Sequence, residues 1–226
     1  MAEATFENIM QDLKNKIYHP VYFLSGDEPY YIDRISDHIQ EHVLNETEKT
    51  FNQTVLYGKD TEAVTVINAA KRFPMMANHQ VVVVKEAQEL KNFEQLEHYV
   101  EKPLKSTLLV VCYKYKNPDK RKKVFKSLKK HSIYFTSKKL YDDQLPGWIS
   151  KFVSSKKYTI QPKAAALLAE FLGSDLARIV NELEKLIITL EDGHKEITAG
   201  HVERNIGISK DYNHFELQNA LGKKDI

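Results

Sequence analysis

Apolar residues fall along this chain in two rhythms. Short continuous runs, Val21–Leu24, Val81–Val84 and Thr107–Cys112, stand among segments where apolar residues recur every three or four positions. Thr50–Tyr57 and Ser132–Phe135 complete a predicted set of five strands. The helical segments are Thr5–Lys16 with Phe6, Ile9, Met10 and Leu13, and one beginning near Glu28–Pro29 with Ile32, Ile35, Ile39 and Val43. Others are Thr61–Lys71 with Ala63, Val66, Ile67 and Ala70, then Phe93–Val100 and Asp119–Lys130. Spacing of three and four puts apolar side chains on one helix face, whereas an unbroken run suits a strand buried on both sides. Such strands alternating with helices predict an α/β fold, a parallel sheet covered by helices on both faces.

Beyond Tyr141 the rhythm changes. Leu145–Val153, Lys163–Leu172, Asp175–Leu190 and Ala199–Ile206 all have helical spacing, with no strand between them. A boundary near Lys139–Asp142 therefore divides an α/β domain, 1–140, from a small all-helical domain, 141–209. Asp211–Leu221 begins another helix, and 210–226 reads as the truncated start of a third domain.

One connection breaks the rule that loops are polar. Phe73, Pro74, Met75 and Met76 lie between the Thr61–Lys71 helix and the valine strand, where a backbone normally runs through water. Pro74 fixes its own φ and keeps Phe73 out of helical geometry, so the tip is stiff. The four either plug the base of the core or are offered to another molecule. Methionine suits the second use, being flexible and polarisable. The pattern alone leaves both readings open.

Composition removes some classes of function. Formal net charge is only +2, so any attraction for nucleic acid must be local. The one cysteine, Cys112, lies in the run LLVVCY, so it reads as a core residue in a reducing compartment. The start, MAEATFENIMQDL, is acidic and amphipathic rather than a secretory signal, and no apolar run approaches membrane-spanning length. The reading is cytoplasmic, without a membrane.

A strand, a glycine turn and a helix at the start of a parallel sheet would suit a phosphate-binding loop. That loop needs G-x-x-x-x-G-K-[ST]. Here the turn is SGDEPYY: Gly26 is the lone glycine, no lysine follows, and Asp27 and Glu28 repel phosphate. An ATPase also needs an acid directly after an apolar strand to hold its metal. After Val81–Val84 stands Lys85, with Glu86 next. The nucleotide site reads as degenerate, and no cofactor or metal is expected. His38 and His42 share a helix face, but no third ligand is evident and their neighbours are polar. No G-x-S-x-G occurs, and a cysteine in a core strand is no nucleophile.

The stretch Tyr113–Lys130, YKYKNPDKRKKVFKSLKK, holds nine basic residues and one acid. Lys120, Arg121, Lys122 and Lys123 could touch DNA phosphates, with Tyr113, Tyr115 and Phe125 interleaved. The alternative is a solvated face whose lysine stems lie along the core. With no base-reading motif, any contact is to the DNA backbone.

Taken in order, these pieces resemble the delta-subunit family of the bacterial DNA polymerase III clamp loader over nearly the whole chain. The resemblance is carried by YFLSGDEPYYIDR at 22–34, FPMMANHQVVVV at 73–84, KNPDKRKKVFKSL at 116–128 and LPGWI at 145–149. It continues through IQPKAAALLAEFLGSDLARIVNELEKL at 160–186, EIT at 196–198 and NHFELQNAL at 213–221. GSDLARIVNELEKL is the most specific of these. The resemblance implies an AAA+-like fold that has lost its ATP site, followed by a helical lid domain and a collar domain. It implies a non-catalytic subunit that grips the ring-shaped sliding clamp and opens it, or holds it open, for primed DNA. The holoenzyme makes DNA; this chain offers no phosphoryl-transfer chemistry. The family's clamp-contacting apolar pair falls on Met75 and Met76, beside Phe73 and Pro74. Further partners implied are the other loader subunits, through the collar, and the primer–template DNA backbone. Two other readings stand beside this one: a nucleic-acid-binding module working through 113–130, and an active AAA+ ATPase.

Overall fold

The computed structural model describes residues 4–190 and 194–206; the segment 210–226, including the helix expected over Asp211–Leu221, lies outside them. Contacts divide the chain into two units, Met1–Lys139 and Leu140–Ile226.

The first unit is built on five parallel strands, β1 (Val21–Gly26), β2 (Gln53–Tyr57), β3 (Gln80–Lys85), β4 (Thr107–Lys114) and β5 (Ile133–Ser137). They lie in the order β2-β3-β4-β1-β5, with Phe23 opposite Val111 and Val83 opposite Val110. Successive side chains point to opposite faces of a strand, so the valine run feeds two cores at once. Val82 and Val84 join Phe23, Leu109 and Val111 on one face, beneath α4 (Ala63–Ala70), α5 (Glu97–Val100) and α6 (Lys123–His131). Val81 and Val83 join Tyr22, Leu24 and Cys112 on the other, beneath α1 (Phe6–Lys14) and α2 (Pro29–His42). Every residue of β1 and nearly all of β3 and β4 is buried, which is why their sequences show no alternation.

Several boundaries differ from the sequence reading. β1 continues through Ser25 and Gly26 instead of turning there, because Ser25 Oγ donates to the Phe135 carbonyl and Ser137 Oγ to that of Ser25. Residues 50–52, expected in a strand, close a short helix, α3 (Glu46–Asn52). Its start is fixed by a reciprocal cap, in which Asn45 and Glu48 each bind the other's backbone amide. The basic helix begins at Lys123 rather than Asp119, because Asp119 accepts from the Arg121 and Lys122 amides and holds 119–122 in a turn. Phe93–Leu96 forms a 3₁₀ turn that leads into α5.

In the second unit, α7 (Leu145–Ser155), α8 (Pro162–Leu172), α9 (Leu176–Thr189) and α10 (Ala199–Ile206) match the expected helices closely. Leu145, Ile149, Leu168, Leu176, Ile179, Leu183 and Val202 form their buried side. This unit is not all-helical, contrary to the sequence reading. A parallel pair, β6 (Thr159–Ile160) and β7 (Glu196–Ile197), ties the entry of α8 to the entry of α10. Two residues per strand are too few to show a period in the sequence.

Candidate functional site

Two regions of the first unit stand at opposite ends of β3. At its amino end is the connection 71–79, and at its carboxyl end is the crevice where open α/β sheets bind ligands.

The crevice is occupied by the chain's own charges. β1 ends at Gly26, whose φ of +132° L side chains rarely adopt, and a Cβ there would lie 2.0 Å from the Ser137 carbonyl oxygen. The glycine thus serves the approach of β5 rather than a phosphate. The Glu28 side chain caps α2 by accepting from the Tyr30 amide at 3.0 Å, while Pro29 has no N–H to offer. An anion at a helix N-terminus needs those amides; here a buried carboxylate has taken the place. Asp27 beside it is exposed. Lys85 Nζ lies 3.8 Å from Asp37, and Lys114 Nζ lies 2.6 Å from Asp33 and 3.9 Å from Glu86. Burial pulls the Lys114 ammonium down, but the Asp33 hydrogen bond and the neighbouring carboxylates outweigh it and leave the group above its usual range. These residues do not fit a nucleotide: Glu28 occupies the helix start, and both lysines face carboxylates of the same chain. Lys114, counted from the sequence with the basic stretch, belongs to this cluster instead.

At the other end, α4 is tied down before the connection begins. Tyr99 Oη and Thr107 Oγ1 donate to the Ala70 carbonyl at 3.2 and 2.9 Å, and the buried Gln80 donates to that of Ala69 at 3.0 Å. Beyond that root the apolar side chains face outward. Phe73 is 76% exposed, Met75 56% and Met76 fully, with Pro74 half-buried. They do not plug the core. Met76 also has a φ of +52°, a backbone shape that is uncommon away from glycine. The chain returns to the core at Ala77, which packs against the α1–α2 side. The sequence reading missed Asn52, whose buried carboxamide bonds both backbone groups of Met75, its Oδ1 accepting at 2.6 Å and its Nδ2 donating at 2.9 Å. No local pattern marks it, because its partner lies 23 residues further along the chain.

The basic stretch is more self-paired than its composition suggests. Arg121 bonds Asp119 at 3.0 and 3.2 Å, Lys122 bonds Glu94 at 2.7 Å, and Lys116 bonds Glu89 at 2.6 Å. Lys120 and Lys123 are exposed beside them. Of the interleaved aromatics, Phe125 and Tyr113 pack around Phe23 and Phe93, leaving Tyr115 exposed. His38 and His42 stack on each other at 4.3 Å, and no cluster of metal-ligating side chains occurs among the described residues.

A parallel sheet with helices on both faces, and a strand-end crevice filled by its own ion pairs, define an open-sheet α/β protein. Comparison with known proteins narrows the class. A sequence model of the DNA polymerase III delta subunit matches residues 22–138, just over half of the chain, and the chain belongs to that family. Among curated proteins it is 30% identical to DNA polymerase III subunit delta of Bacillus subtilis over 224 residues, 95% of this chain. It spans 64% of that relative's length. Among solved structures it resembles the Bacillus subtilis DNA clamp loader delta protein, with a TM-score of 0.79 and 28% identity over 98% of this chain and 68% of that one. Among the described residues no helix is long and apolar enough to cross a membrane.

Proposed function

We propose that this chain docks on a ring-shaped sliding clamp through Phe73, Pro74, Met75 and Met76, and opens the ring or holds it open for primed DNA. One observation carries the reading: a rooted connection that displays three large apolar side chains to solvent. Exposed apolar clusters of this kind mark interaction sites. The chain works in the cytoplasm as a non-catalytic member of a larger loader, beside other subunits, and contacts the primer–template backbone through the basic stretch. Nucleotide plays no part in its own docking.

The test is calorimetric titration of the cognate clamp, with and without Mg-ATP. Each methionine seated in a clamp pocket contributes roughly 1.5–3 kcal/mol of transfer free energy. Met75→Ser/Met76→Ser is therefore expected to weaken clamp binding about 10²- to 10⁴-fold. Both side chains are exposed in the free protein, so its melting temperature should barely move. Mg-ATP should change neither affinity nor melting. Retained affinity in the double variant, or tightening by Mg-ATP, would count against the reading.

A further inference from the structure

Asn52 is 1% exposed and sits at the end of α3, 23 residues from the connection it touches. Its carboxamide makes three hydrogen bonds. Nδ2 donates to the carbonyls of Glu48 at 3.0 Å and Met75 at 2.9 Å, and Oδ1 accepts from the Met75 amide at 2.6 Å. Pairing both backbone groups of one residue is what a neighbouring strand does, here performed by a side chain. The bonds from Tyr99, Thr107 and Gln80 end at Ala69 and Ala70, so they fix the root of the connection and not its tip.

We infer that Asn52 is the positioning residue of the 73–76 tip, holding Met75 and Met76 in the shape that the clamp receives. This rests on the docking reading above. The tip needs such a hold because Met76 has a φ of +52°. A loop with that residue in an unfavoured backbone shape relaxes toward other conformers unless a neighbour opposes it. The clasp also lies next to the strained residue, where it has most leverage. A ligand that binds one conformer loses apparent affinity in proportion to the time spent in the others. Asn52 thus sets affinity without touching the clamp. Alanine removes all three bonds. Aspartate keeps the acceptor for the Met75 amide but turns a carboxylate oxygen toward two carbonyls, so it is no substitute.

The experiment is a double-mutant cycle on the full chain, reading clamp affinity by calorimetry and backbone amide exchange by NMR. Asn52→Ala is expected to weaken clamp binding about 10-fold or more, through a lower population of the competent tip. The Met75 amide should lose its protection from exchange while those of Val81–Val84 keep theirs. In the Met75→Ser/Met76→Ser background, Asn52→Ala should cost less than about 2-fold, because no anchors remain to be positioned. Unchanged affinity in Asn52→Ala, or the same fold-loss in both backgrounds, would overturn the inference; the second result is what general destabilisation gives. Should the alanine variant fail to fold, the unsubstituted protein still decides, since a Met75 amide exchanging as fast as that of Met76 would defeat the clasp. The docking reading fails by a different result, full affinity in Met75→Ser/Met76→Ser. A loss there combined with none in Asn52→Ala would sink the positioning role alone.

Discussion

Single residues in this fold are chosen by what approaches them, and Gly26 is the sharpest case. From the sequence it reads as a remnant of a phosphate turn. In the structure it stands where the β5 backbone closes on β1, with a φ that disfavours any side chain. Gly26→Ala should then cost about 3–5 kcal/mol, combining backbone strain with a clash against main chain that cannot rotate away. Chemical denaturation measures it, and a loss below about 1 kcal/mol would mean that β5 shifts easily. The outward tip was legible as an anomaly, four apolar residues in a loop, but its direction was not. The pattern of polar and apolar residues is the same for a plug and for an anchor. Asn52 was not legible at all, because a carboxamide's partners 23 residues away leave no local trace.

At the scale of elements, sequence periodicity placed the five strands of the first unit and its helices except α3, which it missed, and it misjudged several ends. The errors share a cause. α3 and the late start of α6 are both decided by side-chain-to-backbone bonds, from Asn45 with Glu48 and from Asp119, which compete with the periodic signal. The late start bears on the proposed contact with DNA. Lys120, Arg121 and Lys122 lie on a turn preceding the helix, and only Lys123 lies on α6 itself. Ion pairs on the surface contribute little to stability, so Arg121 and Lys122 can exchange Asp119 and Glu94 for phosphate at small cost. Reversing all four to Glu should weaken DNA binding by the loader and lower its salt slope by about 1 per lost phosphate contact. Clamp affinity should stay the same. An unaltered slope in that variant would return the stretch to a solvated surface.

At the scale of the whole molecule, the parallel sheet followed from three unbroken apolar runs, while the β6–β7 pair was too short to leave a signal. Burying that sheet on both sides has a titration consequence. Burial pushes the Cys112 thiol and the Tyr22 phenol up to about 12 and raises Tyr99 as well. An acid whose folded pKa is raised keeps its proton in the native chain after the unfolded chain has released it. Its stabilising contribution is complete below its unfolded value, 9.0 for the thiol and 10.0 for the phenols, and is lost as pH climbs toward the folded one. Lys114, also raised, adds to the loss with the same sign above its ordinary 10.5. The melting temperature should therefore be roughly 5–10 °C lower at pH 10.5 than at pH 7.5. A flat profile would show that these groups reach water more easily than the sheet implies.

The same cysteine has a practical side. A protonated, sequestered thiol does not react with maleimides or iodoacetamides, and this chain has no other. This chain is therefore already a blank for site-directed labelling, with nothing to remove first. A single cysteine introduced in place of exposed Asn78 or Tyr141 would carry the sole dye. A fluorophore at Asn78→Cys, beside the anchors without replacing one, would report on the proposed docking of the tip.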